Sequence, residues 1–373
     1  MSLRLHTGLP VRGLVEKVET SVSEEIKISD KRIESGSRYL LELPLPPLHT
    51  HTPMTMPVHV IRGVRDGPRL FVSAAIHGDE LNGTEIIRRL INQAVLKRLR
   101  GTLIAVPIVN MYGLIHHTRY MPDRRDLNRV FPGSVKGSLA ARLAHRFMDE
   151  IVRKCTHGID IHTAAIHRDN LPQIRANLDD PDTAKLAQAF GVPVLLNSNL
   201  RDGSLREAAA EEGIPMLLYE AGEALRFDEV AIRAGVKGVT NVMRSLGMLP
   251  RTKSRRKTPQ EPFVARSSTW VRAPASGVFR KTSALGNRVK RGDILGLIDD
   301  PFGGNEIEVR ATADGIVIGC SVIPLMYEGD ALFHIARFED AKEVAGKVES
   351  FHSDLAPVEA LESTKNHDEP PIV

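Results

Sequence analysis

Leu70-Phe71-Val72-Ser73-Ala74-Ala75-Ile76-His77-Gly78-Asp79-Glu80 is an apolar run that breaks off in a histidine and, three residues later, a glutamate. A short apolar run ended by a turn signal reads as a strand buried on both faces. Imidazole and carboxylate are ligands that a borderline divalent ion such as zinc accepts together. The His-x-x-Glu spacing puts both at the mouth of one strand-to-helix turn, and Gly78 between them lets the backbone turn tightly. A third ligand has to come from elsewhere. Asp160-Ile161-His162-Thr163, at the end of another short apolar run, offers His162. On their own, His77 and Glu80 fit equally well an ordinary loop whose carboxylate caps the next helix.

Outward from this stretch, strands and helices alternate. Residues 70–76, 103–109, 159–162, 192–196 and 216–219 read as strands, and 39–45 and 58–62 as added edge strands. Residues 84–99 read as a helix, with Ile86, Ile87, Leu90, Ile91 and Val95 at helical spacing, and 138–153, 182–190, 205–212 and 229–246 follow as further helices. This alternation predicts an α/β fold, a mostly parallel or mixed sheet with helices on both faces. Ligands of open α/β sheets gather at the carboxyl ends of the strands. His77, His162 and Glu220 each stand at such an end.

The 373 residues suffice for a large core and about two domains. Apolar residues make up 42% and charged residues 26%, an ordinary globular balance. A net charge of +4 with 5% aromatic residues offers neither the basic face nor the stacking platform of a nucleic-acid binder. Cys155 and Cys320 are far apart and in no metal-spaced pair, which fits a reducing compartment. The first residues lack an apolar leader core and no run is long enough to span a membrane, so a cytoplasmic protein is expected.

Five segments follow: an N-terminal extension (1–37), the α/β domain (38–249), a basic proline-containing linker (250–264), a glycine-punctuated all-β domain (265–339) and a helical tail with an acidic end (340–373). The linker carries Arg251, Lys253, Arg255, Arg256 and Lys257, which read as a solvated run rather than a nucleic-acid patch. In the β domain, Ala273-Pro274-Ala275-Ser276-Gly277-Val278 and Ala311-Thr312-Ala313-Asp314-Gly315-Ile316-Val317 look like two copies of an element of biotinyl and lipoyl carrier modules. The stretch 299–306, where a carrier holds its lysine, has none. The domain therefore reads as a barrel-sandwich-like scaffold that walls a pocket or forms an interface.

A catalytic zinc usually keeps three protein ligands and one open position, and His77, Glu80 and His162 would supply them. Hydrolysis also needs a general base for the water proton. Glu220, in Leu218-Tyr219-Glu220-Ala221-Gly222, is the candidate, with a helix-capping carboxylate as the plainer alternative. Between the first and third ligands lie Thr118-Arg119-Tyr120 and Asp126-Leu127-Asn128-Arg129. Arginine suits paired hydrogen bonds to a carboxylate, with asparagine donating beside it. A second arginine can stabilise charge on a carbonyl oxygen. Alone, an arginine-rich loop is usually solvated surface.

The order His-Gly-Asp-Glu, Thr-Arg-Tyr, Asp-Leu-Asn-Arg, Asp-x-His-Thr, Glu-x-Gly resembles the succinylglutamate desuccinylase/aspartoacylase family, which shares the zinc carboxypeptidase fold. The resemblance runs from about His77 to Gly222. It implies one zinc ion per chain on His77, Glu80 and His162, with Glu220 as base. It further implies that Arg119 polarises the scissile carbonyl and that Asn128 and Arg129 grip a substrate carboxylate. Aspartoacylases also use a tyrosine from the C-terminal domain, and Tyr327 is only nearby in pattern, which leaves the acyl group and the amine unassigned. The expected activity is removal of an acyl group from an N-acyl amino acid or similar small amide, by a chain that binds neither nucleic acid nor membrane and can form a homo-oligomer. The rivals are a metallocarboxypeptidase and a non-catalytic metal-binding or carrier-like scaffold.

Overall fold

Five consecutive buried residues end the strand Arg65–Ala74, so both its faces need cover and it must lie inside a sheet. The computed structural model describes residues 25–198, 200–251, 262–304, 306–338 and 341–356. Its main sheet has nine strands, in the order Phe263–Ala265, Val194–Asn197, Gln173–Ala176, Met216–Glu223, His157–Ala164, Arg65–Ala74, Arg100–Val106, Met54–Arg62 and Arg38–Leu45. Five of the eight neighbouring pairs are parallel. Gln173–Ala176 with Met216–Glu223 and the two pairs at the Arg38–Leu45 edge are antiparallel. The sheet is mixed, with helices on both sides.

Side chains alternate across a strand, and this divides the core. Leu70, Val72 and Ala74 join a cluster with Ile86, Ile87, Leu90, Phe190, Ile232 and Val239, from the helices Asn82–Ile91, Pro181–Phe190 and Glu229–Ser245. Phe71 and Ile76 join the opposite cluster with Leu143, Phe147, Leu205 and Ala208, from Leu139–Glu150 and Leu205–Glu211. The N-terminal hairpin Ile26–Ile28 and Lys31–Ile33 buries Ile26, Ile28 and Ile33 in the second cluster.

Three features depart from the sequence expectation. The single helix expected over 84–99 is two elements: the helix Asn82–Ile91 stops at Asn92, Gln93 is extended, and a 3-10 turn spans Ala94–Arg98. This bend lets Leu96 and Leu99 reach the same core as Ile87. The strand Gln173–Ala176, too short to stand out between Pro172 and Asn177, fills a central position in the sheet. Phe263–Ala265 pairs in parallel with Val194–Asn197 and extends the large sheet.

Residues 267–337 fold into two antiparallel sheets around Phe279, Leu295, Ile298, Val317, Leu332 and Phe333. One of these sheets takes in Arg168–Asn170 from the α/β part. The helix Ala341–Leu355 returns to the α/β part, burying Val344 and Val348 beside Ile316 and Ile318, and Leu355 in the first core cluster. Residues 1–24, Lys253 to Lys257 of the basic run and the acidic terminus lie outside the described residues. Among the described residues no helix is long and apolar enough to cross a membrane.

Candidate functional site

At the carboxyl end of Arg65–Ala74, Ala75 takes a left-handed backbone (φ +51), unusual for a residue with a Cβ. The glycine beside His77 serves a different need from the tight turn expected of it. A Cβ on Gly78 would lie 1.9 Å from the carbonyl carbon of Gly113, so Gly78 is fixed by the close approach of another backbone. His77 and Glu80 leave this turn together. His162 comes from the neighbouring strand His157–Ala164, which runs parallel to Arg65–Ala74.

All three side chains are buried, and one ligand atom of each lies within 4.8 Å of the others. Both rings direct Nδ1 at one carboxylate: His77 Nδ1 is 2.6 Å from Glu80 Oε1, and His162 Nδ1 is 2.8 Å from Oε2. Their Nε2 atoms are held from outside, His77 by Asp126 Oδ1 at 3.1 Å and His162 by Asp160 Oδ2 at 2.6 Å. Asp160 is fixed in turn by the Ser73 hydroxyl at 2.7 Å. A carboxylate on the outer nitrogen keeps a proton there and leaves Nδ1 as the lone-pair atom, the usual support of a metal-bound histidine. The donor set therefore fits a metal ion.

The electrostatics agree. Burial opposes charge on His77 and His162, but Glu80 with Asp126 and Asp160 outweighs it and raises both pKa values. Full burial would raise the Glu80 pKa, yet the two rings push it far below the carboxylate range. This enclosure gathers positive charge around one buried carboxylate, the charge pattern that a bound dication satisfies.

Arg119 reaches the same group. Its Nε and Nη2 donate to Asp126 Oδ2 at 3.2 and 2.9 Å, which leaves Nη1 3.4 Å from Glu80 Oε1. Asp126 also accepts the backbone N–H of Asn128 at 2.9 Å and so caps the turn Leu127–Arg129. One carboxylate thereby positions His77, Arg119 and that turn. The Asn128 side chain is buried, with Oδ1 accepting from Leu205 N at 2.9 Å, while Arg129 is exposed and bonds the carbonyl oxygen of Asn128.

Glu220 lies across from His162 in the parallel pair of Met216–Glu223 with His157–Ala164, on the same face of the sheet. Its Oε1 accepts from Asn170 Nδ2 at 2.9 Å, and Oε2 pairs with Arg175 Nε at 2.5 Å. The glycine of Glu-x-Gly has a local reason. Gly222 has φ +77, and a Cβ there would meet Asn82 Nδ2 at 2.6 Å, while Asn82 Oδ1 accepts from Asp228 N at 3.0 Å. Asn82 thus ties the start of one helix to that of another behind the site.

Sequence reasoning brought together His77, Glu80, His162, Arg119 and the neighbouring Glu220. It missed the parts played by Asp126, Asp160, Asn170 and Arg175. Asp160, two residues before a histidine on the same strand face, carried a readable signal; Asn170 and Arg175 carried none. It also missed a basic rim. Burial, with Arg175 and Arg201 nearby, pushes Arg206 down to about 10, and burial with Arg129 and Arg175 lowers Arg201. His334, from the C-terminal sheets, is held neutral near these arginines, pushed down to about 3 chiefly by burial. Tyr327 is 79% exposed on a turn closed by Asp330.

The family model described as the succinylglutamate desuccinylase/aspartoacylase catalytic domain matches residues 66–246. Residues 66–246 belong to this family. It is 26% identical over 296 residues to the N-alpha-acetyl-L-2,4-diaminobutyric acid deacetylase of Halomonas elongata, covering 75% of this chain and 85% of that protein. The crystal structure of a succinylglutamate desuccinylase/aspartoacylase from Rhodobacter sphaeroides is similar at TM-score 0.72 and 27% identity, over 82% of this chain and 97% of that one. A product-bound structure of the ectoine utilization protein EutE (DoeB) from Ruegeria pomeroyi is similar at TM-score 0.73 and 25% identity, over 83% and 98%. The likeness extends over most of the described chain, well past the span that the family model matches.

Proposed function

We propose that this protein is a zinc-dependent amidohydrolase that removes an acyl group from an N-acyl amino acid or a similar small carboxylate-bearing amide. The observation that carries the reading is the buried His77–Glu80–His162 group with Glu220 on the adjoining strand of the same face. The deacetylase relative supports an acyl amide as substrate.

A bound zinc ion would supply Lewis acidity to a carbonyl oxygen and make water nucleophilic near neutral pH. The chain's own residues do the rest. Arg119 is pinned by Asp126, and its Nη1 reaches Glu80 in the metal group, where the guanidinium meets charge growing on the acyl oxygen. Glu220 takes the water proton on a carboxylate oxygen and returns it to the departing nitrogen. The exposed guanidinium of Arg129 and the amide of Asn128 receive the substrate carboxylate; Asn128 Oδ1 is already committed to Leu205, so Asn128 contributes through Nδ2. The C-terminal sheets act as a barrel-sandwich scaffold beside the site. Their hairpin between Ile294–Asp299 and Ile307–Arg310 carries no lysine, which argues against a carrier.

Amine release from a panel of N-acetyl, N-succinyl and N-formyl amino acids by zinc-loaded protein tests the reading. Release from at least one of them is expected; cleavage of C-terminal peptide bonds alone would replace it with a carboxypeptidase. Arg129→Ala should weaken transition-state binding of an N-acyl amino acid by about 2 kcal/mol or more, roughly thirtyfold in kcat/KM, and spare the matching uncharged amide. Equal losses would remove the carboxylate from the substrate description.

A further inference from the structure

The three-residue strand Arg168–Asn170 precedes the sheet strand Gln173–Ala176, yet its one ladder among the described residues is with the C-terminal strand Gly315–Ser321. Asn170 lies opposite Gly319, Gly319 opposite His334 on Ala331–Arg337, and His334 opposite Trp270 on Ser267–Arg272. These four residues form one row across the sheet. Trp270 stacks flat on His334, with ring centroids 4.5 Å apart and planes 6° from parallel. The other end of the row is Asn170, whose buried amide donates to Glu220.

Gly319 makes room for this contact. A Cβ there would lie 2.5 Å from Asn170 Oδ1 and 3.3 Å from His334 Cβ. Backbone bonds on either side, Leu171 N to Ile318 O and Val322 N to His167 O, both 3.0 Å, keep the short strand against the C-terminal sheet. A glutamate side chain has three rotatable bonds, and one partner on each oxygen fixes both its rotation and its plane. Asn170 is one of those partners, by a hydrogen bond, and Arg175 the other, by an ion pair in which its Nε makes no hydrogen bond.

We infer that Asn170 is a positioning residue for Glu220 and that the C-terminal β sheet, through Gly319, holds Asn170 in place. This rests on the reading of Glu220 as general base. The C-terminal sheet then sets the geometry of the proton transfer through Asn170.

Asn170→Asp keeps the shape of the side chain and removes the donor; Gly319→Ala acts from the other sheet. Both variants should lower kcat about 10–100-fold on the best N-acyl amino acid of the panel, with KM within about twofold and bound metal undiminished, since a misplaced acid–base group costs turnover rather than binding. Crystal structures of both variants should show the Glu220 carboxylate displaced. A folded, metal-loaded Asn170→Asp protein with wild-type kcat, or with Glu220 in its wild-type position, would overturn the inference. If Gly319→Ala does not fold, Asn170→Asp decides alone. If Glu220→Gln keeps its turnover, the base reading fails by itself, and the position of Glu220 in the Asn170→Asp crystal still decides whether Asn170 holds it.

Discussion

The metal group and the surroundings of Glu220 share one face of one sheet but are built in opposite ways. At the metal group, two imidazoles sit among three carboxylates, Glu80, Asp126 and Asp160, so the pocket collects positive charge. Around Glu220 one carboxylate faces Arg175, with Arg201 close enough to add to the burial that lowers the Arg206 pKa. One pole suits a cation and the other an anion, and the proposed scissile amide lies between them. The poles also differ in what supports them. The metal group is held by residues of its own motifs; Glu220 is held by Arg175 from the neighbouring strand and by Asn170 from a short strand that, among the described residues, pairs with the C-terminal sheet.

The contrast breaks first at the metal pole. His162→Ala should lose nearly all of the zinc measured in purified protein by elemental analysis, because two ligands do not retain the ion. Zinc content unchanged from wild type would end the assignment. Glu220→Gln sharpens the separation of the poles: its zinc should stay at wild-type level while turnover falls about 10²–10⁴-fold, since an amide cannot accept the water proton. Activity within a few-fold of wild type would make Glu220 a structural carboxylate.

Asp126→Asn is expected to fall between them. The amide can still accept from one neighbour but cannot hold both the His77 ring and Arg119 as an anion does. Zinc affinity measured by competition with a chelator should drop about 10–100-fold. Unchanged affinity would show that His77 is fixed by Glu80 and packing alone.

The smallest effect concerns the strand that bridges the two parts. Burial raises the Asp169 pKa to about 6, with Asp228 and Glu223 adding to it and Lys281 opposing. A folded-state pKa above the unfolded value means that the protonated form is favoured on folding. The associated stability is intact below about pH 4 and lost as pH rises through about 6. Asp169→Asn should therefore raise Tm by about 1–3 °C at pH 7.5 and leave it unchanged at pH 4. An equal rise at both values would trace the effect to packing instead of charge.

The metal pole was legible because its residues are local. His77 and Glu80 leave the same turn, and His162 ends the adjacent parallel strand, so an apolar run breaking into a polar residue marks each of them. Glu220 was legible for the same reason. Asn170 and Arg175 were not, since a three-residue and a four-residue strand carry too few positions for a period to show. The break of the helix at Asn92 was hidden too, because Leu96 and Leu99 continue the apolar content while the chain changes direction.

The sequence by itself determined the strand–helix alternation, the carboxyl-end placement of His77, Glu80, His162 and Glu220, and the loop that carries Arg119, Asn128 and Arg129. Each follows from short-range periodicity and from ligand chemistry confined to a few neighbouring residues. Only the tertiary structure decided which carboxylate orients which ring, which side chains grip the two oxygens of Glu220, and that a C-terminal strand adopts a piece of the α/β part as its neighbour. Those choices are made by partners from 2 to about 150 positions apart, Asp160 with His162 at one extreme and Asn170 with Gly319 at the other. Where the separation is long, strand pairing and burial bring the groups together, and neither leaves a pattern in the local order of residues.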